Sequence, residues 1–412
     1  MSPLRINSDR LWASLMTMAE IGATERGGCN RQALTDQDKR GRDLFCAWGR
    51  EAGCSVSVDA VGNIFLRLEG RDPAAEPVLI GSHLDTQATG GRFDGVYGVL
   101  AGLEVVRTLG DHALQVNRPI EVASWSNEEG CRFAPAMLGS GVVAGTYDLA
   151  YAYARTDKAG LRFGDELERI GYRGALPATP RPFRAMFEAH IEQGPILEQT
   201  ATTIGVVTGI QGAYWFDVSL RGVSCHAGPT PMEDRRDPWR PACKIIEGAF
   251  ALAQSRAPWG RATIGDIKVS PGSRNTVPER LIVSVDLRHP DPAVLEAMVS
   301  EFRELAARAA AEYEIGLSID QIWHMPPTSF DRELVAVIDT AASDLGYSHA
   351  KIVSGAGHDS LHTAQFAPTA MIFVPCTGGL SHNEAEEASA ADLTAGANVL
   401  LQAVVAVADE RT

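Results

Sequence analysis

Four short stretches hold residue types that do chemistry, and each lies at or just beyond an apolar run. GSHLDTQATGGRFDG supplies His83, Asp85 and Asp94, SNEEGCRF supplies Glu128 and Glu129, EAHIEQGP supplies His190, Glu192 and Gln193, and GGLSHNEAE supplies His382. Imidazole nitrogens and carboxylates without thiolates suit zinc, manganese, cobalt or nickel in an open catalytic site. A pair of such ions, ~3.5–4 Å apart, can clamp a water against a scissile carbonyl. The adjacent acids Glu128 and Glu129 point the same way, because neighbouring carboxylates at a strand end are costly unless a cation or shared proton relieves them. Taken singly, Asp94 also reads as a helix cap, His83 as a core histidine and the glutamates as a solvated turn. Their recurrence at strand ends favours the chemical reading.

Positioning these residues requires regular elements, and the flanking patterns supply them. PVLIGSHL reads as a strand, VYGVLAGLEVVRTL as a helix, IEVASWSN as a strand, and AMFEAHIEQG begins as a strand. This alternation predicts an α/β layer with a largely parallel sheet. Ligands in such layers gather at the carboxyl ends of strands. Glycines 81, 90, 91 and 95 let the loop fold tightly enough to bring His83 and Asp94 together. From about Gly212 the pattern becomes strand (AYWFDVSLRGV), helix (PWRPACKIIEGAFALAQSR), two strands (ATIGDIKVS, RLIVSVDLRH), long helix and strand (GLSIDQIWHM). That order, βαββαβ, is the ferredoxin-like one. Helix, strand and helix then return in DRELVAVIDTAASDLG, TAMIFVPC and ADLTAGANVLLQAVVAVADE. The expected architecture is a discontinuous α/β domain over 1–211 and 329–412, with an inserted α+β domain over 212–328.

Bulk properties narrow the partners. The 412 residues carry 52 acidic and 37 basic side chains, a formal charge of −15. That argues against nucleic acid or an anionic membrane. No apolar run reaches the ~20 residues of a spanning helix. The first residues lack a signal-peptide pattern and read as a surface helix capped by Ser8 or Asp9. Seven scattered cysteines with no CxxC fit a reducing compartment, so a cytoplasmic protein is expected.

Eight segments in register, GSHLDTQATGGRFDG, SNEEGCRF, HIEQGP, VSCHAGPTPM, PGSRNTVP, DLRH, SGAGHDS and GGLSHNEAE, resemble the hydantoinase/carbamoylase family of amidases. That family falls within the di-metal aminoacylase and carboxypeptidase superfamily, and the resemblance runs from about residue 8 to residue 405. It implies a di-metal exopeptidase-like catalytic domain, a lid and dimerisation role for the insert, and a homodimer. It implies hydrolysis of linear N-carbamoyl amino acids with two divalent ions per subunit. His83 and His190 would be terminal ligands of one ion, Glu129 and His382 would hold the other, and Asp94 would bridge them. Asp85 would orient the His83 ring, and Glu128 would be the general base and acid. His226, offered across the dimer interface, would polarise the carbonyl oxygen. Asn275 and Arg288 would bind the substrate carboxylate, with Gln193 and the backbone at Gly357 at the ureido or carboxylate end. Ser360, where the family usually has alanine, and Cys225 depart from the pattern at positions that bear on substrate fit. Allantoate hydrolysis is the nearest alternative, then an aminoacylase or dipeptidase. A non-catalytic binding protein would be expected to have lost the base or a ligand, and none is lost here.

Overall fold

Apolar runs bounded by turns build the first sheet of the computed structural model, which describes residues 3–410. Its strands are β1 (Ser55–Val58), β2 (Ile64–Leu68), β3 (Val78–His83), β4 (Ile120–Trp125), β5 (Ala185–Ile191) and β6 (Ile204–Ile210). Later in the chain come β14 (Thr328–Ser329), β15 (His349–Ser354) and β16 (Thr369–Val374). The order is β1-β2-β4-β3-β5-β16-β6-β14, with β15 also on β6. The centre is parallel: β3 pairs in parallel with β4 and β5, and β5 with β16. The pairs β1–β2, β2–β4, β16–β6 and β6–β14 are antiparallel. The expectation of a largely parallel sheet therefore holds for the middle strands and fails for those four pairs. A tight connection such as the one between β1 and β2 can only return the chain antiparallel.

The central strands β3, β4, β5 and β16 are buried along their whole length. Strands covered on both faces need continuous apolar runs rather than alternation. Helix α3 (Val96–Asp111) packs on β3, and α6 (Ala390–Ala408) packs on β16 and α3. Contrary to the sequence expectation, α6 is long and apolar enough by length and composition to cross a membrane. Its burial accounts for that character, and its buried Asn398 accepts the Ile6 N–H at 2.9 Å. Helix α1 (Ser8–Ala19) differs from expectation at its start: Asn7 is the cap, accepting the Arg10 N–H at 3.0 Å. Its Leu11, Leu15 and Met18 are buried, so it is amphipathic rather than wholly superficial.

Helix α2 (Asp36–Glu51) carries a buried ion pair that serves the site. Arg42 Nε donates to Asp38 Oδ2 at 2.8 Å, Nη1 to Gly62 O at 2.7 Å and Nη2 to Ser126 Oγ at 3.1 Å. Ser126 lies two residues before Glu128. Removing one partner of a buried pair leaves an uncompensated charge, at a cost of about 3–5 kcal/mol. Asp38→Ala should therefore lower the unfolding free energy in urea by about that amount, whereas a loss under about 1 kcal/mol would be that of an exposed pair.

The chain forms two compact units, one up to Thr208 and from Phe330 onward, the other Gly209–Ser329. In the second, β10 (Ile267–Ser270), β12 (Arg280–His289), β7 (Gly212–Arg221) and β13 (Gly316–Met325) form a sheet in that order. A short β9 (Arg261–Thr263) also pairs with β12. The spatial order is that of a ferredoxin-like unit. Helices α4 (Trp239–Gln254) and α5 (Pro292–Glu312) cover one face, burying Phe216, Val218, Leu281, Val283, Leu287 and Phe302. ATIGDIKVS does not form one strand. It breaks at Gly265 and Asp266, whose N–H groups donate to Ser284 Oγ at 3.2 and 2.7 Å. A two-stranded ribbon, β8 (Cys225–His226) with β11 (Thr276–Val277), completes the unit.

Candidate metal centre

The centre forms where β3, β4 and β5 end. His83 closes β3 and His190 is the penultimate residue of β5, so the parallel strands bring the two rings to 6.1 Å between centroids. Each ring is oriented through Nδ1, which lies 2.9 Å from a backbone carbonyl, Asp85 O for His83 and Ile191 O for His190. Donation from Nδ1–H turns each Nε2 toward Asp94, and the Gly95 N–H lies 3.1 Å from His190 Nε2. Asp94 Oδ1 lies 3.7 Å from His83 Nε2 and 3.1 Å from His190 Nε2. Its other oxygen, Oδ2, lies 3.4 Å from His382 Nε2, which is 3.3 Å from Glu129 Oε2.

Asp94 thus offers one oxygen to each of two groups, His83–Asp94–His190 and Asp94–Glu129–His382. Within each, the ligand atoms all lie within 4.8 Å of one another. Asp94 is not a helix cap, for α3 begins after Gly95 and has no side-chain cap. Gly95 itself cannot be replaced without strain: its φ is +69°, and an added Cβ would sit 2.2 Å from His83 Nε2.

The electrostatics call for positive charge. Burial first, then the neighbouring Asp359, Glu129, Asp85 and Asp94, raise Glu128 well above the ordinary glutamate range. Burial, Asp94 and Asp85 do the same to Glu129. Burial lowers His83 to about 4. It also works against protonation of His190, but hydrogen bonding and the charge of Asp94 outweigh it and push His190 up to about 9. The same contact and three surrounding histidines hold Asp94 well below the carboxylate range despite its burial. Several buried acids facing imidazole Nε2 atoms are a donor set that divalent cations fit.

Other predicted residues sit differently. Asp85 does not orient His83 through its carboxylate, which is 3.9 Å from Nδ1; its backbone carbonyl does so instead. The carboxylate accepts the N–H groups of Glu128 and Glu129, both at 3.2 Å, and so fixes the acidic turn after β4. Glu128 Oε2 lies 3.5 Å from His83 Nε2, and Glu128 is absent from both ligand groups. Gln193 lies against the centre, its Nε2 donating to Asp94 Oδ2 at 2.9 Å. Glu192 accepts the N–H groups of Ile196 and Leu197 at 2.9 and 2.7 Å, ending the strand in a short helix. Gly357 is half-buried beside Met137. Ser360 is buried, and its Oγ donates to Glu188 Oε2 at 2.5 Å, so it packs into the core below the site. His358 is buried too, with Nε2 3.0 Å from Ser354 Oγ.

Within the second unit, the β8–β11 ribbon places His226 opposite Thr276 and beside Asn275, whose carbonyl accepts the Ala227 N–H at 2.9 Å. Gly228 N–H donates to His226 Nδ1 at 3.0 Å, which leaves the proton on Nε2. Arg288, near the end of β12, is clasped by Asp286 through Nε at 3.0 Å and Nη2 at 2.7 Å. Asp286 in turn accepts from Trp215 Nε1 at 2.9 Å.

Sequence reasoning missed three residues that touch the centre. Gln87 binds Glu129 twice, through its backbone N–H at 3.0 Å and its Nε2 at 2.6 Å. Ser381 Oγ is 2.9 Å from Asp94 Oδ2. Glu386 accepts the Phe93 and Asp94 N–H groups at 2.8 and 3.1 Å. All three lie inside the motifs quoted above, but their partners are far along the chain or depend on how a loop folds.

Comparison with known proteins agrees with this geometry. The family model for Peptidase family M20/M25/M40 matches residues 79–406. The chain is 50% identical to an N-carbamoyl-L-amino-acid amidohydrolase of Rhizobium meliloti, over 98% of this chain and 97% of that protein. It is 33% identical to an allantoate amidohydrolase of Bacillus subtilis (strain 168), over 93% of each. The crystal structure of an amidase of the hydantoinase/carbamoylase family from Burkholderia multivorans superposes with a TM-score of 0.96 at 51% identity, over 99% of this chain and 100% of that one. The chain belongs to the Peptidase M20/M25/M40 family, and within it to the hydantoinase/carbamoylase amidases.

Proposed function

We propose that this chain hydrolyses the ureido C–N bond of linear N-carbamoyl amino acids, releasing amino acid, carbon dioxide and ammonia. The observation that carries this reading is Asp94, one oxygen toward each ligand group, with Glu128 outside both groups and 3.5 Å from His83. The relative at 50% identity bears the matching name. His83, His190 and Asp94 would hold one divalent cation, and Asp94, Glu129 and His382 a second. Bound there, such ions supply Lewis acidity and lower the pKa of water toward neutrality.

The chain's own residues then have separable tasks. Glu128 takes a proton from the attacking water at a carboxylate oxygen and returns it to the departing nitrogen. His226, with its proton on Nε2, donates to the carbonyl oxygen as charge develops there. Arg288, its guanidinium fixed by Asp286, takes the substrate carboxylate together with Asn275. Gln193 and the backbone at Gly357 line the ureido or carboxylate end. Asp85 sets the turn carrying Glu128 and Glu129.

The inserted unit serves as lid and dimer interface, so that His226 reaches the partner's site. Seven free cysteines support a cytoplasmic location.

The test is to strip the protein of metal and restore zinc, manganese, cobalt or nickel separately. Ammonia release is then followed from N-carbamoyl-L-amino acids, N-carbamoyl-β-alanine and allantoate. Release restored by metal from a carbamoyl amino acid is the expected result. Release from allantoate alone would move the chain to the branch of the Bacillus relative. Activity only on N-acyl amino acids or dipeptides would overturn the proposal.

A further inference from the structure

We propose that Glu386, the last residue of GGLSHNEAE, is a positioning residue that assembles the second cation site. The inference rests on the two-cation reading above. His382 is the most exposed of the candidate ligands, with 54% of its side chain accessible, and it sits on a loop at φ +54°. His83 and His190 are fixed by sheet hydrogen bonding, whereas no strand holds His382. Its loop is tied to the loop bearing Asp94 by the exposed Arg92–Glu387 pair, by Ser381 and by Glu386, which alone among the three acids and bases of these ties is buried, at 1% exposed.

The carboxylate bridges the two loops. Oε1 accepts the N–H groups of Phe93 at 2.8 Å and Asp94 at 3.1 Å. Oε2 lies 3.1 Å from Ser381 Oγ, and Ser381 precedes His382. The Ser381 hydroxyl also lies 2.9 Å from Asp94 Oδ2, the oxygen facing His382. Gly91 makes room for this arrangement, since a Cβ there would fall 2.0 Å from the Glu386 carboxyl carbon. One buried side chain thus fixes the backbone of Asp94 and the residue next to His382, and with them the 3.4 Å separation of Asp94 Oδ2 and His382 Nε2. Groups that orient ligands in this way typically change metal affinity by about 10–100-fold when removed.

The test uses the full-length apoprotein and Mn2+ alone, with the two binding events resolved by isothermal titration calorimetry. Wild type should bind two ions per subunit. Glu386→Ala should weaken the second event by about 10–100-fold, and the first, which shares Asp94, by clearly less. His382→Ala should lack the second event, and adding Glu386→Ala to it should change the remaining event no more than Glu386→Ala alone changes the first. Glu386→Gln, which retains an acceptor for Phe93 and Asp94, should recover part of the loss. Should Glu386→Ala fail to fold, Ser381→Ala and Glu386→Gln carry the comparison. Wild-type affinity for both ions in Glu386→Ala, Glu386→Gln and Ser381→Ala would overturn the positioning role. If wild type bound one ion or none, the two-cation reading itself would fall, and this inference with it.

Discussion

Glu128→Gln should lower kcat by about 10²–10⁴-fold, the range that a general acid–base contributes. Cation stoichiometry should not change. The substitution keeps the shape of the side chain, and the N–H of residue 128 still reaches Asp85 Oδ1 at 3.2 Å. What it removes is the ability to accept and return a proton. Glu128 takes part in neither ligand group, so a glutamine there should not release a cation. The neighbouring Glu129→Gln provides the contrast. Glu129 Oε2 lies 3.3 Å from His382 Nε2, and that variant should lose affinity at the second site. The measurement pairs single-turnover ammonia release with metal analysis of the dialysed protein. Turnover by Glu128→Gln within a few-fold of wild type would assign the proton transfer to another group.

The division of labour between these adjacent acids was legible in the sequence only in part. Their position beyond β4 followed from IEVASWSN, and the mutual repulsion of two buried carboxylates is a property of residue type alone. Which acid faces a ligand and which faces the reacting atoms came from the resemblance. The geometry adds that Asp85 holds both backbone N–H groups while Gln87 grips only Glu129. Spacing misled on Asp85 itself. Two residues from His83 suggested a carboxylate on the ring, but a strand that ends at His83 turns the Asp85 carbonyl toward Nδ1 instead. Local patterns also fixed most elements and failed where long-range pairing decides, as in the antiparallel pairs of the first sheet and the break at Gly265. Glu386 was hidden for the same reason. Its partners at Phe93 and Asp94 lie 293 and 292 residues away, and no local signal announces them.

Asp94→Asn should have the widest effect of any single substitution at the centre, because both ligand groups share this carboxylate. Asparagine keeps an oxygen and nearly the same volume but removes the charge. It also puts a non-coordinating NH2 toward either His190 Nε2, 3.1 Å from Oδ1, or His382 Nε2, 3.4 Å from Oδ2. Whichever way the amide turns, one group keeps only a neutral oxygen and the other loses its ligand. Gln193 and Ser381, which direct hydrogen atoms at Oδ2, favour the rotamer that presents NH2 to His190. Lewis acidity is worth several kcal/mol, and each 1.36 kcal/mol of barrier is tenfold in rate, so activity should fall by at least about 10³-fold. Metal analysis separates this from the loss of a terminal ligand. His382→Ala should retain one cation per subunit, whereas Asp94→Asn should retain substantially less than one after the same dialysis. Two cations in Asp94→Asn would mean that the ions do not share this carboxylate, and the bridging role would have to be abandoned.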